Sequence, residues 1–234
     1  MITMERRDFM ALSAATLASG LTTATAADTV STPTPRAVQG ELLVPKALSF
    51  DPKSLDGLSE KMIVSHHDNN YVGAVKRSRA IEEKIVSLGS SANPFEFGAL
   101  KREQMVALNS MILHEYYFDA LGSAGTMNSK LKTMLESSFR TVGEWENEFK
   151  KIALSLSGGS GWVFLVYNER LKRLENVWSW DHMHSLWDSK IILALDMYEH
   201  SYQMDFGANA KGYVETFFKN INWNVVNTRI GAIV

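Results

Sequence analysis

A carboxylate and an imidazole four residues apart close the apolar run Ile191-Ile-Leu-Ala-Leu-Asp-Met-Tyr-Glu-His200. The β-branched opening predicts a short buried strand that delivers Asp196 at its end, and the turn after it brings His200 back alongside. Hard oxygen and borderline nitrogen donors of this kind suit a redox-active ion such as iron or manganese. Two donors are not a site, and the six histidines of the chain supply the rest. His66, with His67 beside it, and His114 each lie in a long segment that reads as helix, whereas His182, His184 and His200 flank the Asp196 strand. One histidine from each helix, added to Asp196 and His200, gives three nitrogens and one oxygen. A fifth position stays open for water or a small molecule, as catalytic metal sites require. Taken singly, each residue has a plainer reading: a helical histidine is more often packed, and an aspartate after a strand often caps the next turn.

Composition narrows the choices. The chain has no cysteine, so it has neither a disulfide framework nor a thiolate site, and any ion must be held by His, Asp or Glu. A formal charge of −2 argues against broad nucleic-acid binding, which shows a basic excess. It leaves room for a local positive rim that draws in a small anion, for which Lys76, Arg77 and Lys211 are candidates. No apolar run is long enough to span a membrane, and 234 residues with 45% hydrophobic content suffice for a sizeable core in one domain or two small lobes.

The first residues read as an address rather than as fold. Glu5-Arg-Arg-Asp-Phe-Met10 is a twin arginine, followed by a mild Ala/Thr/Ser-rich stretch and the small-residue run Ala24-Thr-Ala26. This predicts a twin-arginine signal peptide over 1–26, cleaved after Ala26, and delivery to the periplasm or beyond. That route carries folded proteins, which suits a chain that acquires its metal before export. Residues 27–41 read as a flexible linker.

The elements that must position the donors follow from period and breakers. An extended arm interrupted by Pro45 leads into a helix from residue 54 through His66 to just before Gly89. A second helix over 97–121 carries His114, giving an antiparallel hairpin lobe over 42–125. Short helices follow over 129–139 and 142–156. The glycines of 158–161 then break the pattern, and strands are expected over 162–167, 174–180 and 191–196, the first two as a hairpin. Helices over 213–218 and 221–227 close a lobe spanning 126–234. Helices first and a small three-stranded antiparallel sheet later make the fold class α+β.

These segments resemble the iron/manganese superoxide dismutase family over roughly residues 42–230. Asp196-Met-Tyr-Glu-His200 is similar to its Asp-x-Trp-Glu-His signature, with Tyr198 where tryptophan is usual. Gly159-Ser-Gly-Trp162 resembles the motif opening the first strand. Asn209-Ala-Lys-Gly-Tyr213 with Asn222-Trp223 resembles the C-terminal segment, and His114-Glu-Tyr-Tyr-Phe118 the second helix, with Phe118 in place of tryptophan. The resemblance implies His66, His114, Asp196 and His200 as ligands of one iron or manganese ion per subunit, and superoxide as substrate. It also implies a homodimer, with a tetramer as the alternative, in which Glu199 of one subunit bonds His200 of the other.

The departures matter as much. Where the family has a histidine four residues and a tyrosine eight residues after the first ligand, this chain has Asn70 and Ala74, and Tyr71 lies five after. Either Tyr71 takes the gateway role on a differently wound helix or the role is missing. Gln203 stands where the family has a tyrosine reaching across the interface, and Asn70 and Gln203 are a candidate compensating pair. The glutamine that tunes the metal is absent from both its family positions. Ser110 stands at one, and Trp180-Asp-His-Met-His184 at the other, so His182 is the candidate donor to the solvent ligand of the ion, with His184 as the alternative. Trp162, Trp178, Tyr117 and Phe118 are expected to wall the site with apolar surface. A non-catalytic metal-binding relative of the same fold is the alternative function.

Overall fold

The computed structural model describes residues 42–89, 93–184 and 186–233. The expected signal peptide, its cleavage position and the linker up to residue 41 lie outside the described residues. The first helix does not begin at residue 54. Pro52–Ser54 form a single 3-10 turn, and Gly57 then adopts φ +77°, where a side chain would press on Thr216. Ser59 caps the true start, its hydroxyl accepting from the Met62 N–H at 3.1 Å, because an unpaired first-turn donor needs such a partner. The rod then runs as α1 (Glu60–Ser65), a π-helical turn (His66–Tyr71) and α2 (Val72–Leu88).

Helix α3 (Pro94–Asp119) starts three residues earlier than its apolar pattern suggested, capped by Asn93 with proline in its first turn, a position where the missing N–H costs nothing. The pairs Tyr71–Glu115 and Glu82–Gln104 run in opposite order along the first rod and α3, so the two rods form the expected antiparallel hairpin. Helices α4 (Ser129–Phe139) and α5 (Val142–Ser155) follow, capped by Asn128 and Thr141.

Strands β1 (Trp162–Asn168), β2 (Arg173–Ser179) and β3 (Ser189–Asp196) form one antiparallel sheet in the order β2-β1-β3. The architecture is α+β. Trp162 lies opposite Asp196 on one side and Ser179 on the other, which sets the tryptophan and the carboxylate in register. Gly161 makes this pairing achievable: at φ +144° a Cβ there would stand 2.3 Å from the Ser179 carbonyl oxygen. After β3, a 3-10 turn (Glu199–Ser201) and the single-turn α6 (Gln203–Phe206) lead to α7 (Ala210–Lys219) and α8 (Trp223–Gly231). The last helix starts two residues later than expected because Ile221 pairs with Leu121 in an isolated bridge and Asn222 serves as the cap.

One continuous core, from Leu55 through Trp145, Trp162 and Leu193 to Ile230, runs beneath both the hairpin and the sheet. A buried amide ties its two chain ends. Asn220 accepts from the Asp56 N–H and donates to the Asp56 carbonyl, both at 2.8 Å. Its side chain thus imitates a strand partner for an isolated backbone, which satisfies groups that would otherwise be costly to bury. Among the described residues, no helix is long and apolar enough to cross a membrane.

Candidate metal centre

Asp196 ends β3 with no exposed surface. Its Oδ1 accepts from the Tyr198 N–H at 2.8 Å, and its main-chain oxygen accepts from the hydroxyls of Ser201 and Tyr213, each at 2.9 Å. With those groups engaged, Oδ2 is turned to three imidazoles. It lies 3.1 Å from His66 Nε2, 3.2 Å from His200 Nε2 and 3.6 Å from His114 Nε2. The four donor atoms lie within 4.8 Å of one another, so side chains from three separate segments of the chain converge.

The donor set fits a cation. His114 donates from Nδ1 to the Ser110 carbonyl at 2.6 Å, which leaves Nε2 without a hydrogen in the neutral ring. That nitrogen is buried and has no hydrogen-bond partner, an arrangement that costs free energy unless an electron-poor centre meets the lone pair. Burial keeps the rings uncharged: desolvation lowers the pKa of His114 to about 3 and that of His66 below its ordinary value. For Asp196 burial pushes upward, but the hydrogen bonds from His200 and His66 outweigh it and hold the carboxyl well below the usual range. An ionised carboxylate beside the neutral imidazoles of His66 and His114 is the protonation state that metal ligation requires. His66, His114 and Asp196 are at most 1% exposed, while the His200 side chain is 28% exposed, so solvent reaches the cluster on the His200 side.

The profile of the C-terminal domain of iron/manganese superoxide dismutases matches residues 127–229. The superoxide dismutase [Fe] of Cupriavidus metallidurans is 50% identical over 190 residues, covering 81% of this chain and 96% of that protein. The superoxide dismutase [Fe] of Aquifex aeolicus is 30% identical over 189 residues, 76% of this chain and 86% of its own length. The superoxide dismutase [Mn] 1 of Halobacterium salinarum is 29% identical over 181 residues, 76% and 89% of the two chains. The chain belongs to the iron/manganese superoxide dismutase family.

Around the four donors, this member of the family separates its two loop histidines. His182 stacks on Tyr198 with centroids 4.8 Å apart and lies 6.3 Å from the His114 ring, and its Nδ1 accepts from the Trp162 indole N–H at 3.0 Å. His184 is turned away, exposed, bonded to Asp181 at 2.9 Å and packed on Trp180. Tyr117 and Phe118 close over His66, with ring centroids 5.2 and 5.0 Å away, and Trp162 meets His114 edge-on at 5.2 Å. Trp178 does not join this wall. It pairs with Val163, one residue along from Trp162 and therefore on the opposite face of the sheet, and it is 48% exposed beside Trp180.

The π turn accounts for the five-residue spacing of His66 and Tyr71: its wider winding returns residue i+5 to the side of residue i. The Tyr71 hydroxyl accepts from the Lys46 N–H at 2.9 Å and donates to Glu115 at 3.1 Å, and burial pushes its pKa up to about 12. Its ring lies 6.5 Å from that of His114. Ser110, at the family's glutamine position, meets only the outer nitrogen of His114, at 3.4 Å. Glu199 and Gln203 are exposed and Asn70 is half-buried. Among the described residues no hydrogen bond joins Asn70 to Gln203 within the chain. Of the basic candidates, Lys76 and Lys211 are exposed, and Arg77 is paired with Glu103. Sequence reasoning gave no role to Ser201, Lys46, Glu115 or Asn109. All four act on main-chain atoms or on a neighbouring side chain, and such contacts leave no period or motif.

Proposed function

We propose that the chain converts two superoxide radicals and two protons to dioxygen and hydrogen peroxide, with one iron or manganese ion held by His66, His114, Asp196 and His200. The observation that carries this reading is the bare, buried Nε2 of His114 facing the same carboxylate oxygen as two further imidazoles. Bound there, the ion would supply one-electron exchange, taking an electron from one superoxide and giving it to another. The protein does the rest. Three neutral rings and one carboxylate leave a trivalent ion with net positive charge, which favours an anionic substrate. Tyr117, Phe118 and Trp162 exclude water from three sides. His182, unprotonated at Nδ1 because the indole donates to it, keeps its hydrogen on Nε2 and can donate to whatever occupies the open position. Tyr71, at the end of the π turn, is the candidate gateway tyrosine, and its engagement by Lys46 and Glu115 is the feature that keeps the non-catalytic alternative in view.

Two further parts belong to the same proposal. The exposure of Glu199 next to the partly exposed His200 supports a homodimer in which Glu199 bonds His200 of the partner subunit, with Asn70 and Gln203 meeting across the same interface. The twin arginine and the Ala24-Thr-Ala26 run support export to the periplasm with cleavage after Ala26.

Reconstitution with iron and with manganese separately, followed by superoxide consumption against a His114→Ala control, tests the reaction. Turnover in at least one form, lost in the control, is expected. An ion retained without turnover in either form would favour the non-catalytic relative. Sedimentation of the protein and of a Glu199→Ala variant tests the dimer, and N-terminal sequencing of the secreted protein tests the cleavage.

A further inference from the structure

We propose that Asn109 is a positioning residue for the reaction, acting through His182. This rests on the dismutase reading above. Helix α3 carries both His114 and, five residues earlier, Asn109, whose amide donates to the His182 main-chain oxygen at 2.5 Å. The other bonds to the main chain of the loop after β2 come from the Ser160 hydroxyl, which donates to the Trp180 carbonyl at 2.7 Å, and from the loop itself. The Asp181 carboxylate accepts from the Met183 N–H at 2.6 Å and pairs with His184 Nδ1 at 2.9 Å, and the Ser179 hydroxyl bonds the Asp181 carbonyl. Those bonds shape the loop and hold its start, but none of them reaches the main chain of His182. The Asn109 amide, on the same rigid rod as a metal ligand, sets the distance between His182 and the cluster.

Trp162 completes the placement. An indole N–H can only donate, so the 3.0 Å bond to His182 Nδ1 requires that nitrogen to be bare. The neutral ring then carries its hydrogen on Nε2, for which no acceptor is found among the described residues. Two anchors therefore define His182: an amide on α3 holds its backbone and an indole on β1 fixes its tautomer. A cavity of about 100 Å³ lies behind the loop, lined by Asn109, Ile112, Leu113, Phe164 and His182 among others. Without the amide the loop has room to settle inward, and the donor on Nε2 moves with it.

The test compares Asn109→Leu, His182→Ala and the double variant, all loaded with metal. Ion per chain, thermal midpoint, kcat, kcat/KM and the reduction potential of the bound ion are measured for each. Asn109→Leu is expected to keep its ion and its thermal midpoint and to lose about 10-fold in kcat, the range for groups that orient a metal site. Its potential is expected to move in the same direction as that of His182→Ala. In the His182→Ala background the leucine should add nothing, since coupled residues are not additive. Equal effects of leucine in both backgrounds, or lowered ion content, would reduce Asn109 to a stability residue and overturn the proposal. So would an unchanged potential in Asn109→Leu. If the metal-loaded wild type consumes no superoxide, the dismutase reading fails, while the potentials still report separately on whether Asn109 acts through His182.

Discussion

His66 and His114 present the same atom to the same carboxylate, yet the two helices hold them by opposite means. His114 sits in the unbroken 26-residue α3 and is oriented by one internal bond from Nδ1 to the Ser110 carbonyl. His66 stands at the start of a π turn, and its buried Nδ1 has no partner. Its ring is held by surfaces instead: His200 at 4.8 Å, Phe118 at 5.0 Å and Tyr117 at 5.2 Å between centroids. A regular helix orients a ligand with its own backbone, whereas an irregular one needs a packed wall to do so. The cost of disturbing each site should differ accordingly.

Removing either histidine should be about equally severe, because in the proposed site each would fill one coordination position. His114→Ala and His66→Ala should each lower superoxide consumption at least about 10³-fold, given the several kcal/mol that a bound ion supplies. A variant retaining a tenth of the activity would break the four-donor assignment. The asymmetry should appear one step out. Inserting one residue after Asn69, an exposed residue of the π turn whose amide bonds only Ser65, would turn Tyr71 by about 100° relative to His66. Ion retention against a chelator should fall about 10- to 100-fold, and an unaffected ion would show that the wide turn is incidental. Phe118→Ala should cost about 3–5 kcal/mol in chemical denaturation and loosen the ion as well, since it removes part of the wall around His66.

The aromatic wall also sets an alkaline limit. Burial holds the Tyr71 phenol up at about 12 and those of Tyr117 and Tyr213 above their ordinary range. The unfolded chain loses these protons first, near pH 10. The stabilisation is therefore complete below that pH and is lost as pH rises toward 12. Denaturation midpoints at pH 9 and 11 should differ, and Tyr71→Phe should flatten the difference. The smallest effect is expected at Ser110→Ala. The carbonyl of that residue, not its hydroxyl, orients His114, so stability should change by less than about 1 kcal/mol and ion content not at all. A large loss there would mean that the hydroxyl at 3.4 Å matters more than the carbonyl at 2.6 Å.

Strands and ligands were legible in the sequence because each is written in residue type: β-branched runs, a glycine that nothing else can replace at 161, histidines and one aspartate at fixed offsets. The π turn was visible only as an offset of five where eight was expected, and three dimensions were needed to see that wider winding absorbs it. The start of the first helix was misplaced because leucines at helical spacing outvoted Gly57 and the Ser59 cap. Trp178 was misassigned to the wall because residue type does not reveal which face of a strand is turned inward. His182 was preferred over His184, two residues on, and the partners that separate them, Trp162 and Asp181, became visible only in three dimensions. The amides of Asn109 and Asn220 bond main-chain atoms, and a main chain has no letter in the sequence.

The pairing of Asn220 with the backbone of Asp56 spans 164 positions, and of the three carboxylate-facing histidines, His66 and His114 precede the sheet in chain order while His200 follows it. During synthesis the hairpin therefore leaves the ribosome long before the groups that complete its ion cage exist. A nascent or truncated chain ending before β3 has half the donors and no means to close the ring. A cage of all four donors therefore exists only once β3 and the turn after it have been made.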